Sequence, residues 1–239
     1  MVLYQMNLAR FVNVYFVMLG IGIVYFIFSI LILKRSRKRL NQLFSTFYIL
    51  AASGTVVNVI YASLFVNPLV KILHFITMFL YLLSPIYLLI VCLIILKSEK
   101  VVSKSKQNII AFIYGALLMV LAPIAFFMDG VIIDESTNWK PVWSLLFTMY
   151  ALILISLFII IPFIYLSTKI YKEFEDKILR KRWLFFNLGV LPYFGYAYII
   201  MISNLLNDPT FRIITSIVGL SLYAAAFLLY YGIGRQIKK

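Results

Sequence analysis

The sequence has one cysteine, one histidine and few charged side chains, and these scarcities exclude much of catalytic chemistry. A lone Cys92 cannot form an intramolecular disulfide. One histidine and one cysteine cannot supply a zinc site or a Cys/His nucleophile pair, and no Gly-x-Ser-x-Gly sequence accompanies His74. We therefore expect a protein that is not an enzyme, with no catalytic residues, no metal site and no cofactor.

Charged residues make up 13% of the chain, against about 25% in soluble domains. Hydrophobic residues reach 64% and the mean hydropathy is +1.02, so an ordinary soluble domain is excluded. The longest segments between apolar runs, 128–141 and 167–182, are too short to fold alone. The sequence predicts one membrane-embedded domain over residues 1–239.

Seven apolar runs each have close to the ~20 residues with which a helix crosses a bilayer. We expect an all-α membrane protein, a bundle of seven transmembrane helices in the cell membrane. The predicted helices are 11–33, 44–66, 72–96, 109–127, 142–166, 183–206 and 213–233.

The basic residues alternate between crowded and sparse connections. Eighteen of the 22 Lys and Arg fall in the connections after the first, third and fifth runs or at the C-terminus, and four fall on the opposite side. Short loops rich in Lys and Arg stay cytoplasmic. The pattern predicts an outer N-terminus and a cytoplasmic C-terminus.

The net charge of +14 is therefore concentrated on one face, because the eight acids divide evenly between the two sides. This location indicates contact with anionic lipid headgroups or a separate cytoplasmic signalling partner rather than nucleic acid. The residues expected to make such contacts are Arg35, Arg37, Lys38, Lys104, Lys172, Arg180, Lys181 and Arg182.

No Asp, Glu, Lys or Arg lies in the middle of a predicted helix, which disfavours a pump, a voltage sensor or a proton-coupled carrier. Uncharged polar residues instead recur at spacings of three and four, in stripes that must face other helices or a cavity. A stripe on helix six predicts that Tyr193 and Tyr196 face inward while Tyr198 and Ile199 lie nearer lipid. Ordinary helix packing through small and polar residues is the alternative.

If a ligand site exists, we expect it in the outer half of the bundle. Such a lining carries no full charge, so the expected ligand is neutral and hydrophobic or lipid-like. The candidate residues are Asn58, His74, Thr77, Tyr81, Trp143, Tyr196, Ser203 and Thr215.

Two connections have interpretable patterns. Residues 167–182 read as a helical extension of helix five, because Glu173 with Lys177 and Asp176 with Arg180 have favourable i,i+4 spacing. Residues 128–141 read either as a cap over a pocket or as a plain connector.

Two segments carry a resemblance to a known family. Residues 180–192 (RKRWLFFNLGVLP) and 39–48 (RLNQLFSTFY) resemble segments of the seven-helix N-terminal sensor region of prokaryotic histidine kinases. The sequence ends at Lys239 without a kinase domain. The resemblance therefore implies a stand-alone sensor module whose output requires a separate partner.

These observations together predict a non-enzymatic seven-helix receptor or sensor that signals through loops 97–108 and 167–182. A small transporter for an uncharged solute and a structural or assembly subunit are the alternatives. The sequence leaves the oligomeric state open.

Overall fold

The computed structural model of the protein describes residues 11–234. The predicted outer N-terminus before Phe11 and the last basic residues, from Arg235 to Lys239, lie outside the described residues.

Seven helices of 24 to 33 residues, each apolar enough to cross a membrane, account for most of residues 11–234. The expected all-helical fold, with seven helices long and apolar enough to span a membrane, is confirmed. The helices are α1 (Val12–Arg35), α2 (Arg39–Ala62), α3 (Leu69–Val101), α4 (Lys104–Phe127), α5 (Leu145–Glu173), α6 (Lys177–Leu206) and α7 (Pro209–Ile233).

Several helices extend beyond the apolar runs that predicted them. Helix α2 begins at Arg39 instead of residue 44, and α6 begins at Lys177 instead of residue 183. Hydropathy marks the stretch that fits the hydrocarbon core, whereas backbone hydrogen bonding continues into the headgroup region.

The helical extension of helix five predicted over 167–182 is confirmed as far as Glu173 and is wrong beyond it. Helix α5 ends at Glu173, and α6 begins at Lys177. Asp176 is the N-cap of α6, and its carboxylate accepts from Ile178 N at 2.7 Å. An N-cap contributes about 1 kcal/mol, more than the ~0.3–0.5 kcal/mol of an exposed i,i+4 ion pair. The capping role of Asp176 therefore prevails over the predicted pairing.

The α4–α5 connection contains a short hairpin that the sequence did not predict. Strands β1 (Val131–Ile132) and β2 (Val142–Trp143) pair antiparallel. Between the two strands, Asp134 caps a 3₁₀ turn. A hydrogen bond from the Ser136 hydroxyl helps to hold the pKa of the Asp134 carboxyl below its ordinary value. Because Val131 and Trp143 are buried, the hairpin packs against this end of the bundle.

Gly130 sets the entry to the hairpin. Its N–H donates to Ile124 O at 2.9 Å, and a Cβ at this position would lie 2.5 Å from the same oxygen. Only glycine permits this approach of the two backbones.

A cluster of aromatic side chains fills the middle of the bundle, and its members are fully buried. Successive rings contact one another at centroid distances of 5.0 to 6.2 Å. The Tyr48 hydroxyl donates to Ala226 O at 3.0 Å and so links α2 to α7. This aromatic cluster comprises Tyr25, Phe44, Phe47, Tyr48, Phe186 and Tyr193.

Helix α3 is broken at Ser84, directly before Pro85. Proline cannot donate to the carbonyl four residues earlier, which here belongs to Tyr81. That oxygen accepts instead from Ser84 Oγ at 2.9 Å and from the Tyr193 hydroxyl at 2.9 Å. Side chains thus replace the missing backbone donor, as a break inside lipid requires.

Helices α6 and α7 approach closely at Gly189, where a Cβ would lie 2.7 Å from Leu229 N and 2.8 Å from Ala225 O. Gly195, on the same helix, is exposed, and a Cβ there would meet nothing within 4 Å. The two glycines differ only in what surrounds them, which makes them a matched pair.

We expect Gly189→Ala to destabilise the protein by about 1–3 kcal/mol, because backbone atoms of α7 cannot yield to the added methyl group. Gly195→Ala should be neutral or stabilising by up to about 1 kcal/mol. Unfolding temperatures of the two purified variants check this, and equal unfolding temperatures would contradict the α6–α7 crossing.

Candidate functional site

A cavity of about 200 Å³ lies between the helices at the end of the bundle that carries the hairpin. A water molecule needs roughly 10–15 Å³ measured in this way, so the cavity has room for several waters or a small organic molecule. Helices α1, α2, α3, α6 and α7 contribute to the lining together with β2.

All eight residues that the sequence proposed for a ligand site line this one cavity. The polar stripes on separate helices therefore meet at one cavity, and helix packing alone does not account for them. That these residues bind a ligand stays a prediction. They are Asn58, His74, Thr77, Tyr81, Trp143, Tyr196, Ser203 and Thr215.

The inward face of α6 is the one expected. Tyr193, Tyr196 and Ser203 are buried, whereas Tyr198 and Ile199 are partly exposed. The Tyr198 hydroxyl lies within hydrogen-bonding distance of Ser156 on α5, so this side chain packs between helices rather than in lipid alone.

His74 is the centre of a hydrogen-bonded chain across the cavity wall. Trp143 Nε1 donates to His74 Nε2 at 2.9 Å, and His74 Nδ1 lies 3.1 Å from the Tyr61 hydroxyl. Indole N–H is only a donor, so Nε2 must be the unprotonated nitrogen and Nδ1 carries the proton. The chain joins α2, α3 and β2 through a neutral histidine.

Within residues 11–234, three buried polar atoms of residues that line the cavity have no hydrogen-bond partner: Asn13 Oδ1, Thr77 Oγ1 and the Tyr81 hydroxyl. Two other threonines of the lining differ, because Thr55 donates to Ala52 O and Thr215 to Phe211 O. A buried polar group without a partner costs about 1–3 kcal/mol, so these three atoms require a water or a ligand as partner.

The aromatic cluster lies directly below the cavity. The ring of Tyr81, at the deep end of the lining, stacks on that of Tyr193 with centroids 5.2 Å apart and planes inclined by 14°. The cavity thus has a solid aromatic floor.

The lining also contains two cationic residues, Lys140 and Arg212. The expectation of a lining without full charge is therefore wrong at the mouth of the cavity. Arg212 Nη2 donates to Pro141 O at 2.7 Å and to Asn207 Oδ1 at 3.1 Å, which ties α7 to the hairpin.

The place of Arg212 in the lining could be inferred from the sequence, because Arg212 lies three residues before Thr215 and shares its helix face. Lys140 and Asn13 showed no such periodicity, because one lies in a loop and the other at the start of the first helix.

The opposite end of the bundle carries 15 of the 18 basic residues between positions 11 and 234. The Arg180 guanidinium lies over the Tyr171 ring at 4.4 Å. Of the eight residues proposed to contact headgroups or a partner, Arg35 and Arg182 are partly buried. The exposed ones are Arg37, Lys38, Lys104, Lys172, Arg180 and Lys181.

The same end has a buried polar connection between helices. Gln107 accepts from Arg39 Nε at 2.6 Å and donates to Val102 O at 2.7 Å. These bonds connect the start of α2, the end of α3 and the start of α4.

Comparisons with protein-family models, with curated proteins and with solved structures found no match for this chain.

We expect Trp143→Phe to lower the free energy of unfolding by about 1–3 kcal/mol, because it leaves buried His74 Nε2 without its donor. Nitrogen NMR of the wild type should show the Nδ1–H tautomer of His74. Trp139→Phe is the matched control on the same hairpin, since no hydrogen bond involves its indole N–H. An Nε2–H tautomer, or equal effects of the two substitutions, would contradict the proposed chain.

Proposed function

We propose that this protein is a seven-helix receptor of the cell membrane, without enzymatic activity, that binds a small and largely apolar ligand in the cavity. The observation that carries the proposal is the convergence of polar side chains from separate helices on one space, where three buried polar atoms lack partners. Ligand sites are typically concave and mostly apolar, with a few placed polar groups.

The orientation belongs to the same proposal. The cavity end has three basic residues between positions 11 and 234, Lys71, Lys140 and Arg212, against 15 at the other end. Because basic loops stay cytoplasmic, the cavity faces outward and the basic end faces the cytoplasm.

The cytoplasmic end would transmit the signal. Its exposed basic residues suit anionic headgroups or a separate signalling partner, through loops 97–108 and 167–182. The second of these loops is compact, because only residues 174–176 separate α5 from α6.

The aromatic floor favours a receptor over a carrier. A solute crossing the bundle would have to displace the rings of Tyr81 and Tyr193, which are stacked, and the buried cluster below them. Packed interiors resist such displacement because they lack free volume.

A transporter for an uncharged solute is the second candidate. Its support is that two helices of the lining are interrupted, α3 at Ser84 and α7 at Leu220, because interrupted helices are common around transporter binding sites.

A thermal-shift screen of small neutral lipophilic compounds, on protein in lipid nanodiscs, tests binding. A true ligand at about 100 times its Kd should raise the unfolding temperature by roughly 5–10 °C. Ser203→Leu, which fills part of the cavity, should abolish the shift, and Thr168→Leu, exposed at the other end, should preserve it.

Flux of the same compounds into proteoliposomes separates the two candidates. Binding without flux supports the receptor, whereas flux abolished by Ser203→Leu supports the carrier. A screen in which every shift is the same in wild type and Ser203→Leu would refute a ligand site in this cavity.

The orientation predicts the accessibility of introduced cysteines. Cysteines at Ser136 and Ser103, both exposed, should react with an impermeant maleimide only from outside and only from the cytoplasmic side, respectively. Native Cys92 is buried and should not interfere. Labelling of both positions from one side would refute the seven-span topology.

A further inference from the structure

Thr77 and Tyr81 both line the cavity, and each has a buried hydroxyl. They are four residues apart on α3, so they share one helix face and differ in depth by about 6 Å. Thr77 is 8% exposed, and neither hydroxyl has a hydrogen-bond partner. Each can therefore donate to a molecule in the cavity.

The lack of a partner distinguishes Thr77 from the other two threonines of the lining. Helical threonines commonly donate to the carbonyl of the preceding turn, as Thr215 does on α7. Thr77 makes no such bond, so its hydroxyl keeps its donor capacity for the cavity.

Tyr81 is held in place by its surroundings. Its carbonyl accepts from Ser84 and Tyr193 at the break before Pro85, and its ring stacks on that of Tyr193. A donor held in this way loses little conformational entropy when it binds.

The geometry points to a ligand that is a neutral, mainly apolar molecule with one oxygen acceptor, such as a ketone, ester, amide or alcohol. Its oxygen accepts hydrogen bonds from Thr77 and Tyr81, and its apolar part lies along Met18, Met78 and Met201 of the lining. This inference rests on the proposed ligand-binding function and names the chemical class of the ligand.

Two features of the lining disfavour an acid beside Thr77 and Tyr81. The cation that could attract an acid, Arg212, lies at the mouth on the first turn of α7, and its Nη2 already donates to Pro141 O and Asn207 Oδ1. The third unpartnered atom, Asn13 Oδ1, is an acceptor and repels an anion. A carboxylate beside Thr77 and Tyr81 would also be buried in apolar surroundings, at a cost of several kcal/mol.

Three probes of equal chain length test the ligand class: n-nonane, 2-nonanone and nonanoate. We expect 2-nonanone to stabilise the wild type in nanodiscs and the other two to do so far less. Thr77→Val and Tyr81→Phe should each weaken 2-nonanone binding about fivefold, as the loss of one neutral hydrogen bond requires. Thr148→Val is the matched control, because Thr148 is buried on α5, outside the lining, and donates to Ser144 O. It should change the affinity less than twofold.

The same variants without any probe provide a second readout. Because the two hydroxyls are unpartnered, Thr77→Val and Tyr81→Phe should leave the unfolding temperature unchanged or raise it. Thr148→Val removes an existing hydrogen bond and should lower the unfolding temperature. A decrease for Thr77→Val and Tyr81→Phe equal to that of Thr148→Val would mean that both hydroxyls serve the fold, which overturns the inference.

The outcomes separate the ligand class from the proposed function. Equal binding of n-nonane and 2-nonanone, or tighter binding of nonanoate that Arg212→Gln abolishes, overturns the class but leaves a ligand site. The ligand class is also overturned, and a ligand site remains, if none of the three probes binds while the wider screen finds ligands whose binding Ser203→Leu abolishes. Failure of both experiments overturns the proposed function itself.

Discussion

The need to satisfy every backbone hydrogen bond without water governs this structure. In a bilayer an unpaired peptide group costs several kcal/mol, so the chain crosses as helices and each interruption requires a local replacement. The break at Pro85 shows the principle, because Ser84 and Tyr193 supply the donors that the Tyr81 carbonyl loses. Tyr193 thereby holds α3 to α6 as well as filling the core.

Against this background the unpartnered atoms of the cavity are informative. Most polar side chains in the bundle have partners, as Thr55 and Tyr48 do, whereas Thr77 and Tyr81 do not. Natural proteins retain such costly groups chiefly where function uses them, and a site that binds a ligand is less stable than a packed core would be. The proposed receptor function accounts for this cost. The aromatic floor confines the cavity to one half of the bundle.

The two ends of the molecule differ in construction. At the cavity end, the hairpin, the His74 chain and Arg212 join helices through buried polar contacts. At the other end, exposed basic side chains surround the smaller network of Arg39 and Gln107. The proposed receptor function would use this asymmetry, with the cavity at one end for a ligand and the exposed basic surface at the other for a partner or for lipid headgroups.

Hydropathy and charge in the sequence alone determined the seven spans, because both follow from local composition and from the thickness of the hydrocarbon core. The sequence also identified the polar stripes, because helical periodicity sets which residues share a face. Only the tertiary structure decided that the eight stripe residues surround one cavity and that Lys140 and Arg212 join its lining. Only it showed which hydroxyls lack partners and that residues 174–176 break the helix predicted over 167–182. Convergence and hydrogen-bond pairing depend on contacts between residues distant in sequence, and periodicity along one helix carries no information about those contacts.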